Sequence, residues 1–362
     1  MRILHTESSK GWGGQENRTL NEMIGMRELG HEMAVVSQPG ARILERAREA
    51  GFETFEIPMR GAVDFPAMVK LRRLMKSWRA DIINTHSGRD TQLAGMAARS
   101  IGGGRPRIIR TRHLALPITS RFSYSVLPDQ VVTVSRFVGE YLVSAGVPAR
   151  KITVVPTGID FSRYENSLQG GTLKQELGLS PDAMLIGTVA ILRYKKGHSE
   201  ILDAVPKVLA EHPDVHFVFA GDGPMYQTLA ERIDKEGLQA RVHLLGLRKD
   251  IVNILQSIDL FVLPTHQEAL GTAFIEAAAM GIPVVGSNVD GVPEVVENGN
   301  TGLLVPPLDG AGLAVAINQL LASPAMCQRM GQFAKERIRR LYSREAMVLG
   351  MQTLYSRLLT EK

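Results

Sequence analysis

The chain has 362 residues, 44% of them hydrophobic and 22% charged, which is the composition of a globular protein long enough for two domains. Its single cysteine, Cys327, excludes an internal disulfide and a cysteine-based zinc cluster, and it is compatible with a reducing cytoplasm. The opening MRILHTESSKGWGG lacks the apolar core of a signal peptide, and no apolar run approaches the ~20 residues of a membrane-spanning helix. We therefore expect a cytoplasmic protein.

The net charge of +5 is unevenly distributed along the chain. Residues 1–165 contain 24 Lys and Arg against 16 Asp and Glu, a balance of +8, and the remainder contains 18 against 21, a balance of −3. A basic N-terminal half indicates an anionic partner. An anionic membrane surface or an acidic acceptor fits better than nucleic acid, because the sequence carries no helix-turn-helix, zinc or aromatic RNA-binding signature. A basic surface without a specific partner is the alternative.

The chain opens on a predicted βαβ unit with a glycine-rich first loop. The pattern predicts a strand, a helix and a strand over 1–5, 15–29 and 33–37. The turn Gly13-Gly14, with Glu16 just inside the helix, is typical of the phosphate side of doubly wound folds. The sequence contains neither G-x-G-x-x-G at this turn nor a Walker lysine, which disfavours a dehydrogenase or a P-loop enzyme. A tight turn without a ligand is the alternative for these glycines.

A predicted helix over 64–79 is amphipathic and basic. Apolar residues recur at helical spacing, at Phe65, Met68, Leu71, Met75 and Trp78. Basic residues occupy other positions, at Lys70, Arg72, Arg73, Lys76 and Arg79. Two interpretations stay open: a helix that contacts a membrane surface, and an ordinary helix whose apolar face packs on the core.

Two histidines follow predicted strands of the first half. His86 comes after a strand over 81–84, and His113 comes after a strand over 106–110. The carboxyl ends of parallel strands are where doubly wound folds bind ligands, so both histidines are candidate site residues. A purely structural role is the alternative for either one. A further strand over 130–134 and a helix to about residue 145 complete the pattern.

The second half begins with a strand over 185–190 and a basic loop that contains Arg193 and Lys196-Gly197. A basic cluster between a strand and a helix is suited to holding a diphosphate, and a solvated basic loop is the alternative. The next strand, over 215–220, ends in a turn with Gly221 and Gly223, where the backbone can approach a ligand closely.

Two carboxylates, Glu268 and Glu276, flank the start of a predicted helix over 271–280. The first follows the apolar strand 259–264, and the second lies one to two turns into the helix. Between them the first backbone N–H groups of the helix lack intrahelical partners and can receive an anion. Two acids with an anion site between them suit a ligand with hydroxyls at both ends and phosphate in the middle, which describes a nucleotide-sugar.

The order of elements around this pair is more specific than the pair itself. After the helix come a Gly-Ile-Pro-Val-Val strand, the run Asp-Gly-Val-Pro-Glu-Val-Val and the run Asn-Gly-x-Thr-Gly-Leu-Leu-Val. The stretch 259–306 resembles the C-terminal half of the retaining GT-B glycosyltransferases of the family 4 type. That family includes sucrose synthases, phosphatidylinositol mannosyltransferases and lipopolysaccharide-core glucosyltransferases.

The resemblance implies an α/β fold of two Rossmann-like, doubly wound parallel-sheet domains that face each other across a cleft. The acceptor-binding domain would comprise 1–162 together with the C-terminal helix 344–362, and the nucleotide-sugar-binding domain would comprise 163–343. The polar segment 161–182, with Gly170-Gly171, is expected to link them.

The resemblance also implies roles for particular residues. It assigns catalytic roles to His113, Glu268 and Lys196. It assigns donor binding to Gly13, Gly14, Arg193, Lys196, Gly221, Gly223, Leu247, Glu268, Ala269, Leu270, Gly271, Thr272 and Glu276. It places Glu16 and His86 on the acceptor side. One position departs from the family pattern, because Ile191 stands where the family has a phosphate-binding arginine, and Arg193 is the candidate to replace that charge.

These assignments predict a metal-independent retaining hexosyltransferase that uses a nucleotide-sugar, UDP-linked by preference. No Asp-x-Asp pair is present in the sequence, so we expect no metal and no cofactor. The expected acceptor is a saccharide or a lipid-linked saccharide of polysaccharide or lipopolysaccharide synthesis at the inner face of the cell membrane, where the basic helix 64–79 is the candidate contact. A nucleotide-sugar epimerase or phosphorylase is the alternative enzyme, and a scaffold subunit without turnover is the alternative without enzymatic activity.

Overall fold

The computed structural model describes residues 1–114, 116–165 and 171–361. The chain divides into two compact units, one formed by Met1–Ile159 with Tyr342–Lys362 and the other by Asp160–Leu341. Gly170 of the predicted link and Lys362 of the predicted last helix lie outside the described residues. Each unit is built around one parallel sheet, so the predicted α/β class is confirmed.

The first unit contains seven parallel strands. They are β1 Arg2–Glu7, β2 Glu32–Ser37, β3 Glu53–Glu56, β4 Ile82–Thr85, β5 Arg107–Arg112, β6 Gln130–Thr133 and β7 Ile152–Val154. Their spatial order is β3-β2-β1-β4-β5-β6-β7. The order reverses between β1 and β4, which is the switch point at which doubly wound sheets bind ligands beyond the carboxyl ends of the strands.

Helices cover the sheet of the first unit. They are α1 Gly14–Glu28, α2 Arg42–Glu49, α3 Phe65–Ser77, α4 Gly88–Arg99, α5 Phe122–Ser125, α6 Arg136–Ser144 and the last helix of the chain, Arg344–Thr360. The last helix begins at Ser343, whose side chain accepts a hydrogen bond from the backbone N–H of Ala346 at 3.0 Å. Its apolar face packs on α1 and joins the core of this unit.

The basic helix α3 packs only part of its predicted apolar stripe. Leu71, Met75 and Trp78 are buried against the sheet, but the side chain of Phe65 is 70% exposed. Phe65 is the first residue of the helix, directly after the N-cap Asp64. The helix therefore presents an apolar tip next to its basic face.

The second unit contains six parallel strands. They are β8 Leu185–Val189, β9 His216–Ala220, β10 Val242–Gly246, β11 Leu260–Leu263, β12 Val284–Ser287 and β13 Gly302–Val305. Their order is β10-β9-β8-β11-β12-β13, with the switch point between β8 and β11. Its helices are α7 Ser162–Glu165, α8 Leu173–Glu176, α9 His198–Glu211, α10 Tyr226–Lys235, α11 Ile251–Ser257, α12 Thr272–Ala279, α13 Val292–Val295, α14 Gly310–Leu321 and α15 Pro324–Leu341. The last helix of the first unit is then α16, Arg344–Thr360.

Within the described ranges, no single helix has both the length and the apolar composition needed to cross a membrane. The pair α14 and α15 passes that test only when the two helices are taken together, and they are bent by 100° at their junction. Leu313, Ile317 and Leu320 of α14 are buried in the core of the second unit.

Candidate active site

The basic loop after β8 is folded against the loop after β11. Tyr194–Lys196 form one 3₁₀ turn, and Gly197 follows with a φ of +75°. A Cβ at Gly197 would lie 2.0 Å from the carbonyl oxygen of Pro264, so only glycine allows this approach. The carbonyl of Lys195 accepts hydrogen bonds from His266 N at 2.8 Å and from Thr265 Oγ1 at 2.9 Å. These contacts fix the position of Lys196.

Lys196 and Glu268 are in direct contact. The Nζ atom of Lys196 lies 2.6 Å from Oε2 of Glu268, and each side chain is 19% exposed. The sequence predicted both residues for the site but placed one on phosphate and the other on sugar. An ammonium has three N–H donors, so Lys196 can keep Glu268 as a partner and still donate to a phosphate.

A carboxylate that sequence reasoning missed, Asp290, holds the loop of Glu268. Its Oδ2 atom accepts from the backbone N–H of Glu268 at 3.0 Å, and the N–H of Gly291 donates to the carbonyl of Glu268 at 3.0 Å. Asp290 adopts a φ of +50°, which is uncommon for a residue other than glycine. The motif Asp-Gly-Val-Pro-Glu contained this residue, and only the fold shows that it supports the loop.

The predicted donor loop ends at the N-terminus of α12. Gly271 is the N-cap with a φ of +92°, and Thr272 is the first helical residue. No side chain caps this helix end, so its first N–H groups are available for an anion. Of the other predicted loop residues, Leu270 is buried and Ala269 is partly buried.

Glu276 lies in the second turn of α12 beside a tyrosine that the sequence analysis did not single out. The hydroxyl of Tyr164 donates a hydrogen bond to the Glu276 carboxylate. Burial raises the pKa of Glu276 above its ordinary value, and the bond from Tyr164 together with the charge of Arg163 opposes this shift. One carboxylate acceptor is thereby used by the protein, and the remaining acceptor capacity is left for a ligand.

The other predicted donor residues of the second unit lie on neighbouring loops. A Cβ at Gly221 would meet the carbonyl oxygen of Ala190 at 1.9 Å, and one at Gly223 would meet that of Leu192 at 2.5 Å. Close packing of the loops after β8 and β9 therefore requires both glycines. Leu247 follows β10 and is 76% exposed.

Ile191, which stands where the family has an arginine, is solvent-exposed on the basic loop. Arg193 on the same loop is also solvent-exposed. Within the described residues, the guanidinium of Arg193 makes no ion pair. Its charge is therefore available to a ligand, as the hypothesis of a replacement for Ile191 requires.

In the first unit, Gly13 precedes α1, Gly14 opens it, and Glu16 in its first turn is buried. The turn therefore lies beyond the carboxyl end of β1, as predicted. A Cβ on Gly13 would lie 3.6 Å from Oε2 of Glu16, so the turn and the acid are in contact range.

The two predicted histidines belong to a hydrogen-bonded chain of three. Nε2 of His113 lies 3.0 Å from Nδ1 of His86, and Nε2 of His86 lies 2.9 Å from Nδ1 of His5. The three rings come from the adjacent strands β5, β4 and β1 or from the residues that follow them. Burial lowers the pKa of all three rings, so they are uncharged near neutral pH. His5 was not predicted as a site residue.

The inner end of this chain is a buried acid, Glu22 of α1. Its Oε1 atom lies 3.7 Å from Nε2 of His5, and its Oε2 atom lies 3.7 Å from Nη1 of Arg18. The hydroxyl of Tyr355 in α16 donates to the same Oε1, and Asn84 donates to that hydroxyl at 2.9 Å. A charged and polar cluster of this size inside a domain is costly unless its members pair, so the cluster is a candidate functional region.

A second buried acid, Glu7, ends β1. The pKa of Glu7 is raised to about 8. Burial is the largest cause of this rise, and the charge of Asp90 is the second. The carboxyl group of Glu7 accepts from the backbone N–H of Ser9 at 2.8 Å and from the side chain of Gln15. At neutral pH Glu7 is therefore largely protonated in the folded protein. Glu7 was not predicted as a site residue, although an acid at the carboxyl end of the first strand is visible in the sequence.

In the described part of the chain, no group of three or more His, Cys, Asp or Glu side chains is arranged to hold a metal ion. In the row of His5, His86 and His113, four of the six ring nitrogens are paired with a nitrogen of the neighbouring ring. The prediction of a metal-independent enzyme stays a prediction.

Two families of known proteins match the chain. Residues 12–163 match the family described as Glycosyltransferase Family 4, and residues 171–337 match the family described as Glycosyl transferases group 1. N-acetyl-alpha-D-glucosaminyl L-malate synthase of Bacillus anthracis is 25% identical over 360 residues, covering 90% of this chain and 94% of that protein. UDP-Gal:alpha-D-GlcNAc-diphosphoundecaprenol alpha-1,3-galactosyltransferase of Escherichia coli is 29% identical over 259 residues, covering 67% of this chain and 66% of that protein.

Solved structures share the fold over nearly the whole chain. A glycosyltransferase from Rickettsia africae ESF-5 superposes with a TM-score of 0.89 at 21% identity, covering 100% of this chain and 99% of that one. Anabaena HepE in complex with UDP superposes with a TM-score of 0.88 at 20% identity, covering 99% of this chain and 100% of that one.

The fold, the site and these matches define a glycosyltransferase with the GT-B fold. The chain belongs to the GT-B glycosyltransferases, with a Family 4 N-terminal part and a group 1 C-terminal part.

Proposed function

We propose that this protein is a retaining, metal-independent hexosyltransferase that moves a sugar from a UDP-sugar to a saccharide or lipid-linked acceptor. The carrying observation is the Lys196–Glu268 pair, 2.6 Å apart, on a loop that leads to the uncapped N-terminus of α12. A similar structure, Anabaena HepE, binds UDP-glucose, and a relative from Escherichia coli is named for transfer of galactose from UDP. The UDP-glucose complex of HepE and the name of the Escherichia coli relative both favour UDP over other nucleotides.

Three groups of the second unit would hold the donor. Lys196, Arg193 and the free N–H groups of α12 would neutralise the diphosphate, which must be held and must then leave. Glu276 would accept hydrogen bonds from the ribose hydroxyls, and Glu268 would accept from hydroxyls of the sugar. Tyr164 would orient Glu276 by its hydrogen bond.

Transfer would retain the configuration of the anomeric carbon. The bond from that carbon to the diphosphate oxygen breaks, and the bond to the acceptor oxygen forms on the same face. The acceptor proton passes to the departing phosphate oxygen, and the nucleoside diphosphate leaves. We assign no side chain as a covalent nucleophile, and His113 would contact the transferred sugar.

The acceptor would belong to cell-surface polysaccharide or lipopolysaccharide synthesis. Helix α3 supports a contact with an anionic membrane, because its exposed Phe65 and Val69 lie next to exposed Lys70, Arg73 and Lys76. Incubation of UDP-sugars with and without acceptor extracts tests the reaction class. Release of UDP that requires acceptor supports a transferase, whereas formation of an epimer without acceptor would replace this proposal with the isomerase.

Removal of divalent metal is expected to leave the rate of transfer unchanged, because lysine, arginine and backbone N–H groups supply the positive charge at the diphosphate. The measurement is UDP release in excess EDTA, compared with the same assay after added magnesium. A loss of activity with EDTA that magnesium restores would contradict the metal-independent mechanism.

A further inference from the structure

The first unit contains a cavity of about 360 Å³ that the proposed donor site does not use. It lies between the start of α4, the end of β5 and the segment 116–124. Three arginines, Arg89, Arg110 and Arg112, form one side, and Leu116, Pro117 and Ile118 contribute apolar surface.

Arg110 is held in this cavity entirely by neutral partners. Its Nη1 atom donates to the carbonyl of Ser87 at 3.0 Å and to Thr91 Oγ1 at 2.7 Å, and Nη2 donates to the hydroxyl of Tyr124 at 2.7 Å. Its guanidinium lies 4.0 Å from the centre of the Tyr124 ring, and the residue is only 3% exposed. The Nε–H of this buried side chain has no acceptor.

The neighbouring arginines are also without carboxylate partners. Arg112 donates to the carbonyl of Leu116 and leaves its buried Nε–H unpaired, and Arg89 donates to the carbonyl of Met59 at 3.1 Å. Among the residues that the structure describes, none of the three lining arginines forms an ion pair. By contrast, Arg105 in the same unit has a carboxylate partner. Its Nη1 and Nη2 atoms donate to the two oxygens of Asp129 at 2.7 and 2.6 Å.

In the part of the chain that the structure describes, Asp90 forms no ion pair with Arg110, although the charge of Arg110 lowers the pKa of Asp90. Its oxygens accept from Thr6 Oγ1 at 3.0 Å and from the backbone N–H groups of His86 and Ser87 at 2.8 Å. Burial raises the pKa of Asp90, and the hydrogen bonds from Ser87 and His86 oppose that shift. Burial and the nearby charge of Arg110 lower the pKa of Arg112. Buried positive charge without a counter-ion is costly and is relieved by binding an anion.

We propose that this cavity binds an anionic group of the acceptor substrate, a phosphate or a carboxylate, between Arg89, Arg110 and Arg112. The identity of that ligand as the acceptor rests on the proposed function. The position fits, because Arg112 is the last residue of β5 and His113, the histidine proposed to contact the transferred sugar, follows it directly. The apolar side of the cavity suits a neighbouring hydrocarbon or sugar face of the same molecule.

The test is calorimetric titration of inorganic phosphate into four forms of the full chain. They are the wild type, Arg89→Gln/Arg112→Gln, the charge-matched control Arg42→Gln/Arg150→Gln on exposed positions, and Lys196→Ala, which removes the proposed donor-phosphate contact. We expect wild type, control and Lys196→Ala to retain a common phosphate site, and the pocket variant to lose at least tenfold in affinity. Equal affinity in the pocket variant, or no binding by the wild type, would overturn the proposal.

Succinate and n-butyl phosphate distinguish the sources of the anion. Tighter binding of butyl phosphate than of inorganic phosphate supports a phosphate attached to an apolar chain, equal affinity supports a soluble phosphorylated sugar, and preference for succinate supports a carboxylate. UDP binding is measured on the same samples. Failure to bind UDP would defeat the proposed function while leaving the arginine site intact, so the two failures are distinguishable.

The histidine chain carries a second, independent inference about proton placement. An uncharged imidazole has one N–H and one acceptor nitrogen, so a row of three rings can be protonated in only two consistent directions. The direction is decided at His5, where Nε2 faces Oε1 of Glu22 at 3.7 Å. A lone pair at that nitrogen would be repelled by the carboxylate, and an N–H would be attracted.

We infer that Glu22 is a positioning residue that fixes the tautomer of His113. With the proton of His5 on Nε2, its Nδ1 accepts from Nε2–H of His86, and Nδ1 of His86 accepts from Nε2–H of His113. His113 is then left with a bare Nδ1. Under the proposed function, that nitrogen would accept a hydrogen bond from a sugar hydroxyl.

The test is long-range ¹H–¹⁵N correlation of protein labelled with ¹⁵N-histidine, which reads the protonated nitrogen of each ring. Wild type is expected to show Nε2–H at His5, His86 and His113, and Nδ1–H at His113 would overturn the inference. In Glu22→Gln we expect His113 to lose its single tautomer, whereas Glu45→Gln, an exposed control on α2, leaves it unchanged. The wild-type spectrum alone decides the tautomer if Glu22→Gln does not fold.

Discussion

Lys196→Ala is expected to lower kcat/KM for sugar transfer by a factor on the order of 10²–10³, the usual cost of removing one preorganised charge-stabilising group. Its ammonium is 2.6 Å from Glu268 and stands beside the basic loop proposed to hold the diphosphate. The variant removes the charge that balances the departing phosphate and also leaves Glu268 unpaired. Steady-state UDP release measures the effect, and circular dichroism confirms the fold.

Two further variants separate these consequences. Lys207→Ala removes the same charge from an exposed position of α9 and is expected to behave as wild type. Lys196→Ala/Glu268→Gln removes the unpaired acid. If Lys196 acts on phosphate, the double variant is at least as slow as Lys196→Ala, because Glu268 is itself proposed to bind the sugar. Recovery of wild-type rates would show that the lysine serves only to neutralise Glu268.

Glu276→Gln is expected to lower kcat/KM by about 5–30-fold, because a hydrogen bond to a charged acceptor is worth about 1–2 kcal/mol more than one to a neutral acceptor. The substitution preserves shape and removes a buried charge whose pKa is raised by burial, so we expect no loss of stability. The measurement is kcat/KM with a UDP-sugar together with the thermal midpoint.

The proposed partner of Glu276 gives this prediction a sharper control. If the carboxylate binds the ribose hydroxyls, Glu276→Gln weakens binding of UDP but not of its 2′,3′-dideoxy analogue. Glu231→Gln, an exposed change on α10, leaves both unchanged. An equal loss with both ligands would assign Glu276 to another part of the donor or to the fold.

Much of the framework was predictable because most strands are short hydrophobic runs that end close to a glycine, a proline or a polar residue. The helix after Glu268 was expected over 271–280 and is found at Thr272–Ala279, since small apolar residues fill it and Gly281, with a φ of +75°, ends it. Lys196 and Glu268 were selected by their positions after strands, which local sequence reveals.

What the sequence did not show are contacts between segments far apart in the chain. Lys196 and Glu268 are 72 residues apart, and they meet because β8 and β11 are neighbours at the switch point. His5 and His86 meet for the same reason across β1 and β4. Strand order is set by the packing of the whole sheet, and no local pattern encodes it. Tyr164 was missed because it lies in a polar segment without periodicity.

The proposal that the second unit binds a UDP-sugar through its nucleotide is tested most directly by calorimetric titration of UDP into wild type and Glu276→Gln. The account predicts saturable binding of UDP by wild type and clearly weaker binding by the variant. Absence of binding to UDP, GDP and ADP alike, or equal UDP affinity in the two proteins, would contradict it.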